Sequence, residues 1–189
     1  MPTPPRTSRD QIITAGYTLL NELGLSAVTM QAVATRVGVR APSLYKHVAD
    51  LPALRALVAD AAARDLATHL AGLDQLSDMA HALRTWALAH PHAFRLTFSG
   101  VGSPETMATA SASLLRASAS IAGNADALNA ARLLTAWATG FITMELAGAF
   151  QLGGDVDAAF RYGIDRITAA LTTRNPPPAS TTGTPGPSH

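Results

Sequence analysis

Between residues 40 and 47 the chain gathers Arg40, Ser43, Tyr45, Lys46 and His47: two cations, two hydroxyls and an imidazole in one short segment. Cations and hydroxyls of this kind hold phosphates, and Arg, Lys or Ser placed in a groove reads the edges of bases. Leu44 and Val48, one helical turn apart, supply the opposite, inward face of a short helix at about residues 41–48. On an isolated helix Tyr45 and His47 would suit a core. With Leu44 and Val48 already facing inward, both are expected outside.

Other chemistries find less support. The sequence has no cysteine, which excludes disulfides, thiolate metal sites and a cysteine nucleophile. His81, His90 and His92 lack a helical ligand spacing, and no carboxylate doublet completes them, so they are expected at the surface or at caps, with no metal. There is no Gly-x-Ser-x-Gly elbow, phosphate loop or metal-ligand helix, so no catalytic residue and no cofactor are expected. An all-helical enzyme of unknown reaction stays open as an alternative function. Trp86, Phe94, Phe98, Trp137, Phe141 and Met144 recur at helical spacing. They either line a cavity for an apolar or weakly polar small molecule or fill a core. Glu145, amid apolar residues, either anchors such a ligand or pairs with Arg132 or another arginine.

The elements that must position these residues read as all-α, about nine helices and no convincing strand. The first spans residues 8–22, with Ile12, Gly16, Leu19 and Leu23 inward and Gly24 ending it. Thr29 caps a second at 30–37, and Gly38 takes the left-handed turn into the third, with Val39 in the corner and Pro42 tolerated in the first turn. Asp50 caps a long fourth helix with Leu51, Leu54, Val58, Leu66 and Leu70 on one stripe. Ser77 is expected to cap residues 78–89, and residues 92–98 form a short apolar segment. Ser103-Pro104-Glu105 starts a helix to about residue 121, and Asn124 is expected to cap one to about residue 150. Asp155 caps the last, with Val156, Phe160, Ile164, Ile167 and Leu171 on one side. Residues 1–7 and 175–189, rich in Pro, Thr, Ser and Gly, are expected to be disordered.

Net charge is +1 overall, but residues 1–48 carry five basic and two acidic side chains while the rest is slightly acidic. That asymmetry has the direction a DNA-reading N-terminus needs. Only 14 % of residues are charged against 48 % hydrophobic, as expected of a chain that hides surface in an oligomer. The most apolar stretch, residues 133–150, contains Thr135, Thr139, Thr143 and Glu145 and reads as a buried helix, not a span. No secretory leader is recognisable, so a cytoplasmic location is expected.

Two short helices around a glycine turn form a helix-turn-helix. Residues 28–54, VTMQAVATRVGVRAPSLYKHVADLPAL, resemble the DNA-binding signature of the TetR/AcrR family in Thr29, Val33, Ala34, Gly38, Val39, Leu44, Tyr45 and His47. Val48 departs from the aromatic usual there, and Leu51 from a phosphate-contacting lysine, whose contact would pass to Thr29, Tyr45 and Lys46. Residues 89–96 and 137–141 resemble the WHG subclass of C-terminal domains, with Thr139 where a histidine is usual. The resemblance implies a helix-turn-helix domain at 8–50 that contacts double-stranded DNA through Thr29, Gln31, Arg40, Ala41, Ser43, Tyr45, Lys46 and His47. It further implies a helical domain at 51–174 that dimerises through the last two long helices and binds a small effector. The expected function is a transcriptional regulator, a repressor released from a palindromic operator by that effector. A regulator controlled by a protein partner is the other alternative.

Overall fold

The computed structural model describes residues 7–173; the ends expected to be disordered lie outside them, Thr7 excepted. Among the described residues the chain forms eight α-helices and two short 3-10 helices, with no strand. The first helix, α1 (Arg9–Leu23), opens on a capping box: the Gln11 amide donates to Ser8 Oγ, and the Ser8 amide donates to Gln11 Oε1. Ile12, Ala15, Leu19 and Leu20 are buried, but Leu23, expected inward, is 63 % exposed. The chain turns away at Gly24 into a 3-10 turn, Leu25–Ala27, that the sequence did not announce, and Val28 takes the buried place instead.

After α2 (Met30–Arg36) and a 3-10 helix (Ala41–Lys46) comes a long helix of 20 residues, α3 (Leu51–Leu70), which Asp50 caps at the Ala53 amide as expected. Leu54, Val58, Ala62 and Leu66 form its inward stripe. Then follow α4 (Leu76–Ala89), α5 (Pro91–Thr97), α6 (Pro104–Ala122), α7 (Ala127–Leu146) and α8 (Val156–Thr173). Ser103 and Asp155 cap α6 and α8 as expected. Three of the boundaries differ from expectation. Burial of Leu76 brings the start of α4 ahead of Ser77, with Gln75 at the cap position. α7 starts after Asp126, not Asn124, because Gly123 ends α6 at positive φ and residues 124–126 are spent turning the chain. α7 also stops short of Phe150: Gly148 is left-handed, and the Ala149 amide reaches back to the Met144 carbonyl.

α3 packs against α1, α4, α5 and α6, while α7 and α8 close the far side on α4 and α6. The buried residues make one continuous core from Ile12 to Ile164. Two polar nodes tie it together. On α3, Asp65 Oδ2 accepts the Tyr17 hydroxyl of α1 at 2.7 Å and the Trp86 indole N–H of α4 at 2.8 Å. Partial burial works against the Asp65 charge. The hydrogen bonds from Trp86 and Tyr17, with His69 and His90 nearby, outweigh it and hold the carboxyl below the usual aspartate range. Burial, then the bond to Asp65, pushes the Tyr17 hydroxyl up, so it stays a donor.

The second node is Arg84 on α4. Its guanidinium donates to both oxygens of Glu145 on α7, at 2.7 and 2.6 Å, and to Asp157 on α8 at 2.6 Å. It also lies 5.1 Å from the centre of the Phe160 ring. The Glu145 contact is the main cause holding Arg84 charged. Glu145 thus pairs with an arginine, Arg84 and not Arg132. Nearby, Gly163 lets α8 approach Trp137 so closely that a Cβ there would overlap the indole.

Both nodes give measurable consequences. Arg84→Met leaves Glu145 unpaired in a nearly closed site and should cost about 3–5 kcal/mol in urea unfolding, whereas Arg84→Met with Glu145→Met should recover most of it. The folded-state pKa of Asp65 is depressed, so its contribution is present above the ordinary aspartate value of about 4 and is lost as pH falls through the folded value. The stability gap between the wild type and Asp65→Asn should therefore narrow in thermal melts as pH is lowered into that acid range.

Candidate nucleic-acid interface

The interface begins with caps and turns. Thr29 Oγ1 accepts the Ala32 amide at 3.1 Å and so starts α2. Capping uses the hydroxyl as an acceptor and leaves its proton free to donate outward. α2 ends in a Schellman turn: the Val39 amide donates to the Ala34 carbonyl at 2.9 Å and the Gly38 amide to the Thr35 carbonyl at 3.2 Å. Gly38 sits at φ +75°, with nothing within 4 Å of where a Cβ would be. The turn therefore needs glycine for its backbone, not for room. An ion pair between Arg36 and Glu22, at 2.6 Å, ties α2 to α1 on the surface.

The following segment is not the α-helix expected over residues 41–48 but a 3-10 helix, Ala41–Lys46. Pro42 has no amide to donate, and the chain has only a few residues between the Gly38 turn and the Asp50 cap. The tighter winding shows in the Ser43 amide bonding the Arg40 carbonyl and the His47 amide bonding the Leu44 carbonyl, each three residues back. It preserves the expected sidedness. Leu44 and Val48 are buried against the core, and Ala41 is half-buried. Arg40, Ser43, Tyr45, Lys46 and His47 all face solvent, Tyr45 with 57 % of its surface exposed. Gln31 is exposed beside them on α2, and Thr29 is half-buried. Of the eight residues singled out for DNA contact, six are exposed and two, Thr29 and Ala41, are half-buried, and all eight lie in or directly beside α2 and the 3-10 helix.

The residues singled out for an effector pocket fall into separate groups. Trp86, 1 % exposed, is bonded to Asp65, and Phe94 is packed beside Phe98 with ring centres 5.2 Å apart. Trp137 and Phe141 belong to a second cluster with Phe150 and Phe160. Met144 is about half exposed, and Glu145 is taken by Arg84. A narrow internal gap lies elsewhere, between α3, α4, α6 and α7, lined by Leu70, Met79, Leu83, Leu114, Thr135 and Ala138. Sequence reasoning missed it, and it missed the Tyr17–Asp65–Trp86 node, because no local pattern marks contacts across such separations. Among the described residues no group of His and carboxylates has the makings of a metal site, and no helix is long and apolar enough to cross a membrane.

Comparison with known proteins agrees with this geometry. Residues 12–47 match the family described as bacterial regulatory proteins, tetR family, and residues 76–167 match the tetracyclin repressor-like C-terminal domain, a description that does not use the WHG designation. An HTH-type transcriptional regulator of Mycobacterium tuberculosis is 30 % identical over 185 residues, covering 90 % of this chain and 84 % of the relative. The crystal structure of BioQ from Mycobacterium smegmatis is similar with a TM-score of 0.68 and 26 % identity, over 89 % of this chain and 99 % of that one. At 20 % identity, ActR from Streptomyces coelicolor in complex with (S)-DNPA shares the fold, with a TM-score of 0.70 over 89 % of this chain and 98 % of that one. The N-terminal part of the chain, which includes α2 and the 3-10 helix, is the DNA-binding domain of a transcriptional regulator and not an enzyme, and the chain belongs to the TetR family.

Proposed function

We propose that this chain is a cytoplasmic repressor that binds a palindromic operator as a homodimer and is released from it by a small apolar or weakly polar effector. The observation that carries the DNA-binding part is the face over Leu44 and Val48. The side chains of Arg40, Ser43, Tyr45, Lys46 and His47 make no hydrogen bond or ion pair among the described residues, although two are permanent cations. Groups so arranged are available to a polyanion. Tyr45, Lys46 and Thr29 are assigned to phosphates, Arg40 and Ser43 to base edges, and Gln31, Ala41 and His47 to supporting contacts in the groove.

The dimer reading rests on α7 and α8. Leu128, Leu133 and Met144 on α7 and Tyr162 on α8 each leave roughly half or more of their surface exposed. Apolar residues so exposed on two adjoining long helices suit a self-complementary two-fold contact. Residues 8–50 would then act as the reading domain and 51–174 as the dimerisation and effector domain.

For the effector, the gap between α3, α4, α6 and α7 is the better candidate; Trp137 and Phe141 do not line it but lie on α7, the helix that supplies its Thr135 and Ala138. Its volume of about 30 Å³ is far below the several hundred Å³ a drug-sized ligand fills. An effector would therefore favour a conformer in which these helices have parted, and that preference is what could shift the protein off DNA. Leu70 at the end of α3 lines the gap, and α3 runs from there to Asp50 beside the reading face. The tight packing of Trp86 and Phe94 favours a second reading, a regulator switched by a protein partner with no ligand at all.

The test is selection of bound fragments from genomic DNA with purified protein, followed by titration of the selected site. Lys46→Ala should weaken all sequences alike and lower the salt slope by about one per subunit. Arg40→Ala should cost about 1–3 kcal/mol and relax preference at one half-site position; an unchanged preference would remove Arg40 from base reading. For the switch, operator DNA should weaken effector binding by the same factor that effector weakens DNA binding, typically an effect of about 1–3 kcal/mol. Phe141→Ala should blunt that response while sparing DNA affinity, and equal effector affinity with and without operator would favour the partner-controlled reading.

A further inference from the structure

The reading face is carried on α2 and the 3-10 helix, α2 packs on α1, and α1 is held to the rest of the molecule in two physically different ways. Ile12, Leu19 and Leu20 pack apolar surface on neighbouring helices, a contact that tolerates small slides and rotations. The Tyr17 hydroxyl, by contrast, donates to a carboxylate oxygen on α3 that also receives the Trp86 indole N–H from α4. Hydrogen bonds to a charged acceptor are short and directional, so sharing one oxygen fixes how α1 is turned relative to α3 and α4 together. Trp86 cannot follow a displaced Asp65, because its ring is buried and lies 5.9 Å from that of His90. No comparable side-chain hydrogen bond from α1 to α4 or α5 is present among the described residues, where His92 approaches Gly24 through packing alone.

Two reading faces on a duplex must match its helical repeat, about 34 Å per turn, so a small rotation of each face changes which half-site separation fits best. We propose that Asp65, held between Tyr17 and Trp86, is a positioning residue for operator choice: it sets the separation of half-sites that the dimer accepts, without touching DNA. The proposal rests on the dimeric reading above.

Full-length wild type, Tyr17→Phe, Asp65→Asn and Ile12→Val are each taken through selection from a duplex library with random sequence. Winning half-sites are then placed at spacings one or two base pairs longer and shorter, and binding is measured. Wild type is expected to return paired half-sites at one spacing. Tyr17→Phe and Asp65→Asn are expected to return the same half-site bases, with the advantage of the preferred spacing over its neighbours reduced about tenfold, the worth of one hydrogen bond to a charged acceptor. Ile12→Val, a packing lesion in the same helix, is expected to keep the wild-type spacing. Tyr17→Phe retains the ring and its packing, so it decides the matter alone should Asp65→Asn fail to fold. Spacing as sharp in Tyr17→Phe as in wild type overturns the proposal, as does equal broadening in Ile12→Val. Single, unpaired half-sites from wild type would overturn the dimeric reading, and this proposal with it.

Discussion

The rest of the molecule depends on the burial of α3 by its neighbours. Leu54, Val58, Ala62 and Leu66 are nearly or wholly shielded, and full burial of one large aliphatic side chain contributes about 1.5–3 kcal/mol. Alanines at 59 and 63 let neighbouring helices approach its other sides. Because the same helix touches α1, α4, α5 and α6 along its length, the buried core passes through it without a gap. Its two aspartates and the one that caps it do different work: Asp60 accepts the Ser103 amide and fixes where α6 begins, Asp65 joins α1 to α4, and Asp50 starts the helix itself.

The reading face was legible in the sequence because everything that builds it is local. Thr29 caps three residues ahead, Gly38 closes a turn on carbonyls three and five residues back, and Leu44 and Val48 face inward together. Even the change from α to 3-10 winding left the sidedness intact, since it tightened the segment without exchanging its inner and outer residues. The starts of α4 and α7 were less legible. Ser77 and Asn124 are good capping types, but burial of Leu76 and the glycine turn at Gly123 decided those boundaries from outside the local pattern. The two polar nodes gave no sequence signal. Tyr17 and Asp65 are 48 positions apart, and Arg84 lies 61 and 73 positions from its two carboxylates.

The aromatic residues show the same limit. Their helical spacing correctly placed Trp86, Phe94, Trp137 and Phe141 toward the interior, yet spacing along one helix says nothing of which neighbour each will meet. One set gathers near Asp65 and the other around Phe160, with Arg84 reaching Phe160 from α4. The second set is braced by charge as well as packing: Arg84 on α4 is bonded to Glu145 on α7 and Asp157 on α8. An ion pair that costs desolvation to bury is reasonable at such a place, because it specifies an arrangement that apolar contacts alone would leave loose.

A continuous core through α3 also governs how the chain is made. During synthesis α1 and α2 emerge before α3, presenting Ile12, Leu19, Leu20 and Val28 with only part of the surface that will cover them. Their remaining partners, Leu54 and Val58, come later, and the carboxylate that Tyr17 awaits later still. At about 5–20 residues per second, the N-terminal segment spends seconds outside the ribosome as an incomplete, sticky unit. The DNA-reading segment is made before the helix behind it, but it matures only when that helix has arrived.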